Sequence, residues 1–268
     1  PPIGLWLLLL AIAAGGQLEF YHMVNAGGIP AFRIVGLLSG AALISATFWT
    51  VGPEAANMAR AHEWQTLVLL VSLIAVCVRQ FPQKHNDKPL ATIGCTLLGI
   101  WYVPFLLDYI TRLMFAWDGH SRATVAGSTG FVLFLYLLVV VKITDIGAFF
   151  TGMAIGRHKL FPRISPAKTW EGFFGGVAAA MAASLLFCHL AGYRIGRVAI
   201  HGHDAVILGG ILALAAVAGD LFESLLKRAS GVKDSSAVVP GMGGVLDVVD
   251  SLLFGAPVLY YYALFFLS

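Results

Sequence analysis

The chain is built of long apolar runs separated by short polar breaks. Runs that approach or exceed the roughly 20 residues a helix needs to cross a bilayer fall at about 1–16, 31–52, 64–81, 90–115, 129–152, 170–192, 204–222 and 250–267. They are continuous and do not alternate with polar residues, as the strands of a membrane barrel would. The pattern predicts an all-α, polytopic integral membrane protein with about eight transmembrane helices.

Residues 19–28 interrupt the apolar pattern after the first run. This segment carries Glu19, is too polar to span a membrane and is too short to form a domain, so we expect a separate helix at the membrane surface. Gly27 and Gly28 would end that helix. The sequence has no internal repeat, low-complexity tract or long linker, which favours a single membrane domain over 1–268.

The composition agrees with a membrane protein. Hydrophobic residues make up 59% of the 268 residues and charged residues only 12%, whereas about a quarter of a soluble domain is charged. Cys77, Cys95 and Cys188 each lie in an apolar run without the spacing of a disulfide framework or a zinc site. The net charge of +3 is spread over several loops, so we expect no nucleic-acid partner.

The distribution of basic residues predicts the orientation. If the loop at 157–168 is cytoplasmic, alternation of the spans places most of the 17 Lys and Arg residues on that side, as the positive-inside rule requires. Both termini would then lie outside. We expect a bacterial inner-membrane protein whose active site faces the cytoplasm. The residues on the cytoplasmic side would be Arg33, Arg79, Lys84, Lys88, Arg157, Lys159, Arg163, Lys168, Lys227, Arg228 and Lys233.

Polar residues follow helical spacing at the end of the seventh run. Asp220, Glu223, Ser224 and Lys227 are separated by three, one and three positions, which places two carboxylates, a hydroxyl and an ammonium group on one helix face. Charge beside a membrane span is costly and is typical of a functional site. Any one of these acids could instead form a salt bridge that anchors the helix end, but the whole group exceeds what anchoring needs.

The eighth run begins with a second acidic face. Asp247, Asp250 and Ser251 stand at positions i, i+3 and i+4, after the glycine-rich segment 240–244. Two such faces could meet, and hard carboxylate oxygens suit Mg²⁺, which usually binds one or two carboxylates together with substrate phosphates. The metal ligands that we expect are Asp220, Glu223, Asp247 and Asp250.

The preceding cytoplasmic loop offers a phosphate site. Ser165 followed by Pro166 is typical of a helix N-cap and first turn, and Lys168 would lie within that turn. Backbone N–H groups and the helix dipole would then favour a phosphate. Glu171 follows one turn later. Upstream, Lys142 and Asp145 could form an internal ion pair or extend a polar cavity.

Asp108 and Arg112, four positions apart near the outer end of the fourth run, are interpreted as a structural pair.

Residues 224–251 resemble the signature of the phosphatidate cytidylyltransferase (CDP-diacylglycerol synthase) family. That signature runs Ser, two residues, Lys-Arg, four residues, Lys-Asp-Ser, then Pro-Gly-His-Gly-Gly and Leu-Asp-Arg-x-Asp-Ser. Residues 145–152, 164–172 and 219–220 are similar to other parts of the family, so the resemblance is strong over 140–255, whereas 1–139 resembles it only in hydropathy. The matching positions are Ser224, Lys227, Arg228, Lys233, Asp234, Ser235, Pro240, Gly241, Gly243, Gly244, Asp247, Asp250 and Ser251.

Two positions depart from the signature. Met242 stands where the family usually has His, and Val248 stands where it usually has Arg. If either polar group normally contacts a phosphate, its loss costs on the order of 1.5 to 3 kcal/mol. All of the carboxylates that could bind Mg²⁺ are retained.

The resemblance implies a nucleotidyltransferase that converts CTP and phosphatidic acid into CDP-diacylglycerol and pyrophosphate, with Mg²⁺ as cofactor and with 140–268 as the catalytic half. It implies Mg²⁺ binding by Asp220 and Asp247, with Asp250 and Glu223 as further ligands or supporting groups. The catalytic residues would be Asp220, Lys227, Arg228, Asp247 and Asp250. The substrate-binding residues would be Ser165, Lys168, Glu171, Ser224, Lys233, Asp234, Ser235, Gly243 and Gly244.

Other functions stay open at this point. A CTP-dependent polyprenol or phytol kinase would need the same metal and cations but an alcohol acceptor. A transporter would be expected to show charges at the membrane midplane and paired interrupted helices, whereas the charges here cluster at one end of the spans. A catalytically inactive relative is a further alternative because of Met242 and Val248, and a homodimer is left open.

Overall fold

The computed structural model describes residues 2–51, 58–117, 128–232 and 243–267. Within these residues, eight helical segments are long and apolar enough to cross a membrane, which confirms the predicted all-α, polytopic fold. The helices are α1 (Pro2–Ala26), α2 (Arg33–Val51), α3 (Met58–Gln80), α4 (Pro89–Ile100), α5 (Leu106–Phe115), α6 (Thr129–Ile155), α7 (Trp170–Leu190), α8 (Gly202–Ala229) and α9 (Val245–Tyr262). A π-helical segment, Trp101–Phe105, joins α4 to α5, and another, Ala263–Leu267, follows α9.

Two short hairpins complete the described secondary structure. Strands β1 (Lys159–Phe161) and β2 (Ser165–Thr169) pair antiparallel between α6 and α7, and β3 (Arg194–Ile195) pairs with β4 (Val198–Ala199) between α7 and α8. The predicted helix start at Ser165 is therefore wrong. Ser165 lies opposite Phe161 in the hairpin, and α7 begins at Trp170 with Thr169 as its N-cap. Pro166 is tolerated because the two-stranded hairpin has only edge strands.

The separate surface helix expected at 19–28 is also wrong, because α1 continues without a break to Ala26. Its polar side chains are satisfied inside the protein. Gln17 donates to the carbonyl of Gly36 at 3.0 Å, and the Tyr21 hydroxyl donates to the carbonyl of Thr96 at 2.9 Å. The helix does end at the two predicted glycines, where Gly28 has a φ of 76°.

The chain divides into two compact units, one comprising Pro1–Phe115 with Leu226–Val249 and the other Ala116–Leu225 with Asp250–Ser268. In the first unit, the predicted Asp108–Arg112 pair is present at 3.2 Å with both side chains buried. Thr47 donates to the same Asp108 oxygen at 2.8 Å, and Arg112 donates to Gln65 at 2.8 Å and contacts His62 at 3.1 Å. This network joins α2, α3 and α5 through charged and polar groups.

In the second unit, small residues bring α6 and α7 together. A Cβ atom at Gly172 would lie 2.8 Å from the carbonyl oxygen of Ala148, and one at Gly176 would lie 2.8 Å from that of Thr144. Such contacts are typical of membrane helices that pack through small residues. Close packing of these two helices fixes the β1–β2 hairpin that connects them, and with it the position of Lys168.

The buried network predicts a specific pattern of stability. Replacing Asp108 with Ala leaves the Arg112 guanidinium buried without its carboxylate, a change that costs roughly 3–5 kcal/mol. The double variant Asp108→Ala/Arg112→Met removes both charges and is expected to recover most of that loss. Thermal unfolding of the purified protein in detergent measures both variants. Equal destabilisation by the single and double variants would contradict a charge-pairing role.

Candidate functional site

A salt bridge between Lys168 and Asp220 marks the first charge cluster, which lies in the second unit. Strand β2 supplies Lys168, and the C-terminal half of α8 supplies Asp220. The two side chains keep 26% and 33% of their surface exposed. A ligand can therefore reach both charges. Ser224, one turn along α8, donates to the other Asp220 oxygen at 3.5 Å.

This salt bridge lies in the wall of a cavity of about 410 Å³. Asp145 of α6 also lines the cavity, and its carboxylate interacts electrostatically with both Asp220 and Lys168. The remaining lining is largely apolar and includes Phe149, Met153 and Phe173. The cavity therefore combines a charged end with hydrocarbon walls, which suits a ligand with a charged group attached to an apolar body.

Two further carboxyl groups meet in the same unit. Glu223 of α8 hydrogen-bonds to Asp250 of α9, and the negative charge of Asp220 also acts on Asp250. Glu223 and Asp250 are 1% and 6% exposed. Two carboxyl groups this close need a shared proton or a cation between them. Gly219 permits the approach, because a Cβ atom there would lie 2.5 Å from the carbonyl oxygen of Asp250.

The residues present fit a hydrated divalent cation better than a fully protein-enclosed one. Among the described residues, no group of three or more His, Cys, Asp or Glu side chains has the geometry of a metal site. The Glu223–Asp250 pair nevertheless offers hard oxygen donors, and Mg²⁺ typically takes one or two carboxylates and completes its shell with water and phosphate oxygens. Of the four predicted ligands, Asp220, Glu223 and Asp250 belong to the second unit and Asp247 to the first.

The second charge cluster, in the first unit, is centred on Asp247. Its Oδ1 accepts from the ammonium group of Lys227 at 2.7 Å, and its Oδ2 accepts from the backbone N–H of Gly244 at 2.7 Å. Both side chains of the ion pair are about one-sixth exposed, at 17% and 16%. Gly243 has a φ of 91°, a conformation that disfavours other residues. The predicted glycines therefore shape the turn that leads into Asp247.

Glu19 is part of this second cluster, although sequence reasoning did not select it. Its two carboxylate oxygens accept from the backbone N–H groups of Val245 and Leu246 at 2.9 and 2.8 Å. The sequence did contain a signal, because Glu19 is an acid at the end of an otherwise apolar run. Its polarity predicted a helix at the membrane surface. The structure shows instead that its hydrogen-bond partners, Val245 and Leu246, lie in a distant part of the chain.

Glu171 has a local role in the structure. Its carboxylate accepts from the backbone N–H groups of Arg157 and His158 at 3.1 and 3.2 Å, and from the His158 ring at 2.6 Å. These contacts fold the segment between α6 and β1 onto the start of α7. These contacts give Glu171 a structural role. Its contact with substrate stays a prediction.

The other predicted positions are placed as follows. Arg228 is exposed in the last turn of α8, and Val248 is half-buried in the first turns of α9. Ser165 in β2 is half-buried. Lys233, Asp234, Ser235 and Met242 lie outside the described residues.

Comparison with known proteins gives a consistent result. The model of the cytidylyltransferase family matches residues 1–266. A phosphatidate cytidylyltransferase from Haemophilus influenzae is 43% identical over 139 residues, which cover 52% of this chain and 48% of that protein. One from Staphylococcus haemolyticus is 31% identical over 260 residues, 95% of this chain and 87% of that protein. One from Synechocystis is 30% identical over 285 residues, 99% and 91% respectively. The chain spans about half the length of the first relative and most of the other two.

The close approach of α8 and α9 gives a testable prediction. Gly219→Ala forces a methyl group against the Asp250 backbone, and overpacking of this kind typically costs about 1–3 kcal/mol. We expect a lower unfolding temperature than that of the wild-type protein. Gly210→Ala on the same helix is the matched control, because its nearest contact would be the flexible Met181 side chain at 3.9 Å. Similar behaviour of the two variants would show that this approach does not shape the site.

Proposed function

The chain belongs to the cytidylyltransferase family, and from that premise we propose that it transfers the cytidylyl group of CTP to phosphatidic acid, giving CDP-diacylglycerol and pyrophosphate. The observation that carries the proposal is the cavity that joins the Lys168–Asp220 ion pair to apolar walls. Phosphatidic acid has the same division into a charged headgroup and hydrocarbon chains. The relatives named phosphatidate cytidylyltransferase support this choice of substrate.

The reaction requires charge and alignment but no protein nucleophile. A phosphate oxygen of phosphatidic acid attacks the α-phosphorus of CTP, the bond from that phosphorus to the bridging oxygen of the β-phosphate breaks, and pyrophosphate leaves with the bonding electrons. Two anionic substrates must therefore be held together and in line. Bound Mg²⁺ would neutralise charge on the transferring and leaving phosphates.

We assign the acidic residues to the cation and the basic residues to the phosphates. Asp220 and Asp247 would hold Mg²⁺, with Glu223 and Asp250 as further ligands or supporting groups. Lys168, Lys227 and Arg228 would bind the triphosphate or the lipid phosphate, and so would Lys233. The remaining predicted substrate contacts are Ser165, Glu171, Ser224, Asp234, Ser235, Gly243 and Gly244.

The ion pairs suggest how the lysine and aspartate side chains are held before substrate binds. In the structure, Lys168 pairs with Asp220 and Lys227 pairs with Asp247. With substrate bound, the aspartates would be available to hold Mg²⁺ and the lysines to bind phosphate oxygens. Each of these four side chains would then keep a partner of opposite charge. The side chains therefore need not be desolvated again when substrate binds.

The proposal also places the site at the cytoplasmic face of a bacterial inner membrane. The support is the excess of Lys and Arg in the loops on that side. A headgroup-depth site is consistent with a reaction between a soluble nucleotide and a membrane lipid. Labelling of single cysteines in intact cells, at an exposed position such as His158 and at an opposite-side position such as His203, tests this orientation.

The direct test uses CTP labelled at the α-phosphorus or at the γ-phosphorus, with phosphatidic acid and Mg²⁺, and follows label in the chloroform-extractable fraction. We expect α-label but not γ-label to enter the lipid. Asp247→Asn should reduce transfer by about 100-fold or more, since a charged ligand is lost. Ser184→Ala, a buried change on α7 away from both charge clusters, serves as the folded control.

Two outcomes would overturn the proposal. Incorporation of γ-label into a polyprenol or phytol acceptor would show a kinase instead. Absence of transfer by a protein that still binds CTP would show a catalytically inactive relative, and would make the replacements at Met242 and Val248 the first positions to restore to His and Arg.

A further inference from the structure

The N-cap position of α9 is a glycine, which has no side chain with which to cap the helix. The first turn of any helix presents backbone N–H groups that lack partners within the helix. Here the N-cap position is Gly244, and the helix starts at Val245. Asp247, three positions after the N-cap, accepts from the Gly244 N–H at 2.7 Å, which is one half of a capping box. The other half normally comes from a Ser or Thr side chain at the N-cap, which glycine cannot supply.

Glu19 of α1 supplies acceptors for two other N–H groups of this first turn, those of Val245 and Leu246. Each of its carboxylate oxygens accepts one hydrogen bond, from Val245 at 2.9 Å and from Leu246 at 2.8 Å. The side chain is only 6% exposed, so these charge-assisted bonds are formed largely out of water, where they are strong. The negative charge also lies at the positive end of the α9 dipole.

The packing of α1 makes this contact possible. Gly15 lies one turn before Glu19, and a Cβ atom there would lie 3.1 Å from the Val245 side chain. A larger residue at Gly15 would push α1 away from the start of α9. The glycine and the acid, four positions apart, thus lie on one face of α1 and together hold the first turn of α9.

We propose that Glu19 is a positioning residue for Asp247 and for the Gly243–Gly244 turn. This inference rests on the proposed function for its kinetic consequences. Asp247 bonds to Gly244 through one oxygen and to Lys227 through the other. Its orientation therefore depends on where the first turn of α9 is held. Glu19 does not contact the reacting atoms in this account, and it acts only through that turn.

The inference gives the N-terminal region an indirect part in the chemistry, through the turn that orients Asp247. Glu19 lies more than 200 residues from its partners, at a separation of 226 positions from Val245. It also lies outside the 140–255 region that resembles the family signature. A charged side chain at this position would otherwise be a costly feature of an apolar span.

The test compares Glu19→Ala and Glu19→Gln with the wild-type protein. Hydrogen–deuterium exchange of the peptide that contains Val245 and Leu246, measured without nucleotide or metal, should be faster in Glu19→Ala. Glu19→Gln keeps one acceptor oxygen and should be intermediate. The kcat for transfer should fall by about 10- to 100-fold in Glu19→Ala, and the Mg²⁺ concentration for half-maximal rate should rise, as is usual when a group that supports a metal ligand is lost. The KM for phosphatidic acid should stay unchanged.

Gln17→Ala is the matched control. Gln17 is a buried polar residue on the same helix, but it donates to the carbonyls of Gly36 and Gly99. We expect this variant to lose stability without faster exchange at Val245 and Leu246 and without the change in Mg²⁺ dependence. If Gln17→Ala reproduces the Glu19→Ala kinetics and exchange, Glu19 is merely part of the packing and the inference is wrong.

Unchanged exchange in Glu19→Ala would also overturn the inference. If the wild-type protein itself transfers no cytidylyl group, the proposed function fails. Hydrogen–deuterium exchange of the peptide that contains Val245 and Leu246, compared between wild type and Glu19→Ala with and without Mg²⁺ and CTP, then still decides whether Glu19 positions the turn.

Discussion

The pairing of a lysine ammonium group with an aspartate carboxylate is the interaction on which both charge clusters depend. A partly buried charge beside a membrane span is costly unless it is paired with an opposite charge. Lys168 with Asp220, and Lys227 with Asp247, each reduce that cost because the two charges are presented together. The pairs keep part of their surface exposed, and this exposure allows the same groups to bind a ligand.

This constraint explains why the acids and bases occur in nearly equal numbers around the candidate site. The proposed function would need cations for the phosphates of CTP and carboxylates for Mg²⁺. In the ligand-free protein these groups would repel or would be left unpaired if only one sign were present. The buried Glu223–Asp250 contact is the exception, because two acids meet there. It is also the place where a shared proton or a cation is required.

Much of the fold could be predicted from the sequence. The apolar runs are long and continuous, so seven of the eight spans could be placed to within seven residues at each end. The exception is α1, which runs ten residues past its predicted end at 16 and stops at the two glycines expected to end a helix there. The charged residues at the ends of α8 and α9 were also found, because helical spacing relates Asp220 to Ser224 and Asp247 to Ser251. What spacing cannot provide is the partner of each charge, which depends on contacts between distant segments.

Two wrong predictions show this limit in particular residues. Ser165 and Pro166 have the local chemistry of a helix start, but the pairing of β2 with β1 decided the outcome, and Thr169 became the cap. Glu19 was assigned to a helix at the membrane surface because the segment 19–28 by itself is too polar to span a membrane. Its partners are the backbone N–H groups of Val245 and Leu246. The pattern of side chains around these two residues does not predict that their N–H groups need an acceptor.

The central claim is that these ion pairs supply charges for substrate and are more than anchors for helix ends. The measurement that tests it most directly is the reciprocal exchange Lys168→Asp/Asp220→Lys, assayed for both thermal stability and cytidylyl transfer. The account predicts a folded protein, more stable than either single variant, that has lost transfer, because the carboxylate and the ammonium group no longer lie where the cation and the phosphates bind. Transfer at the wild-type rate by the exchanged protein would contradict it.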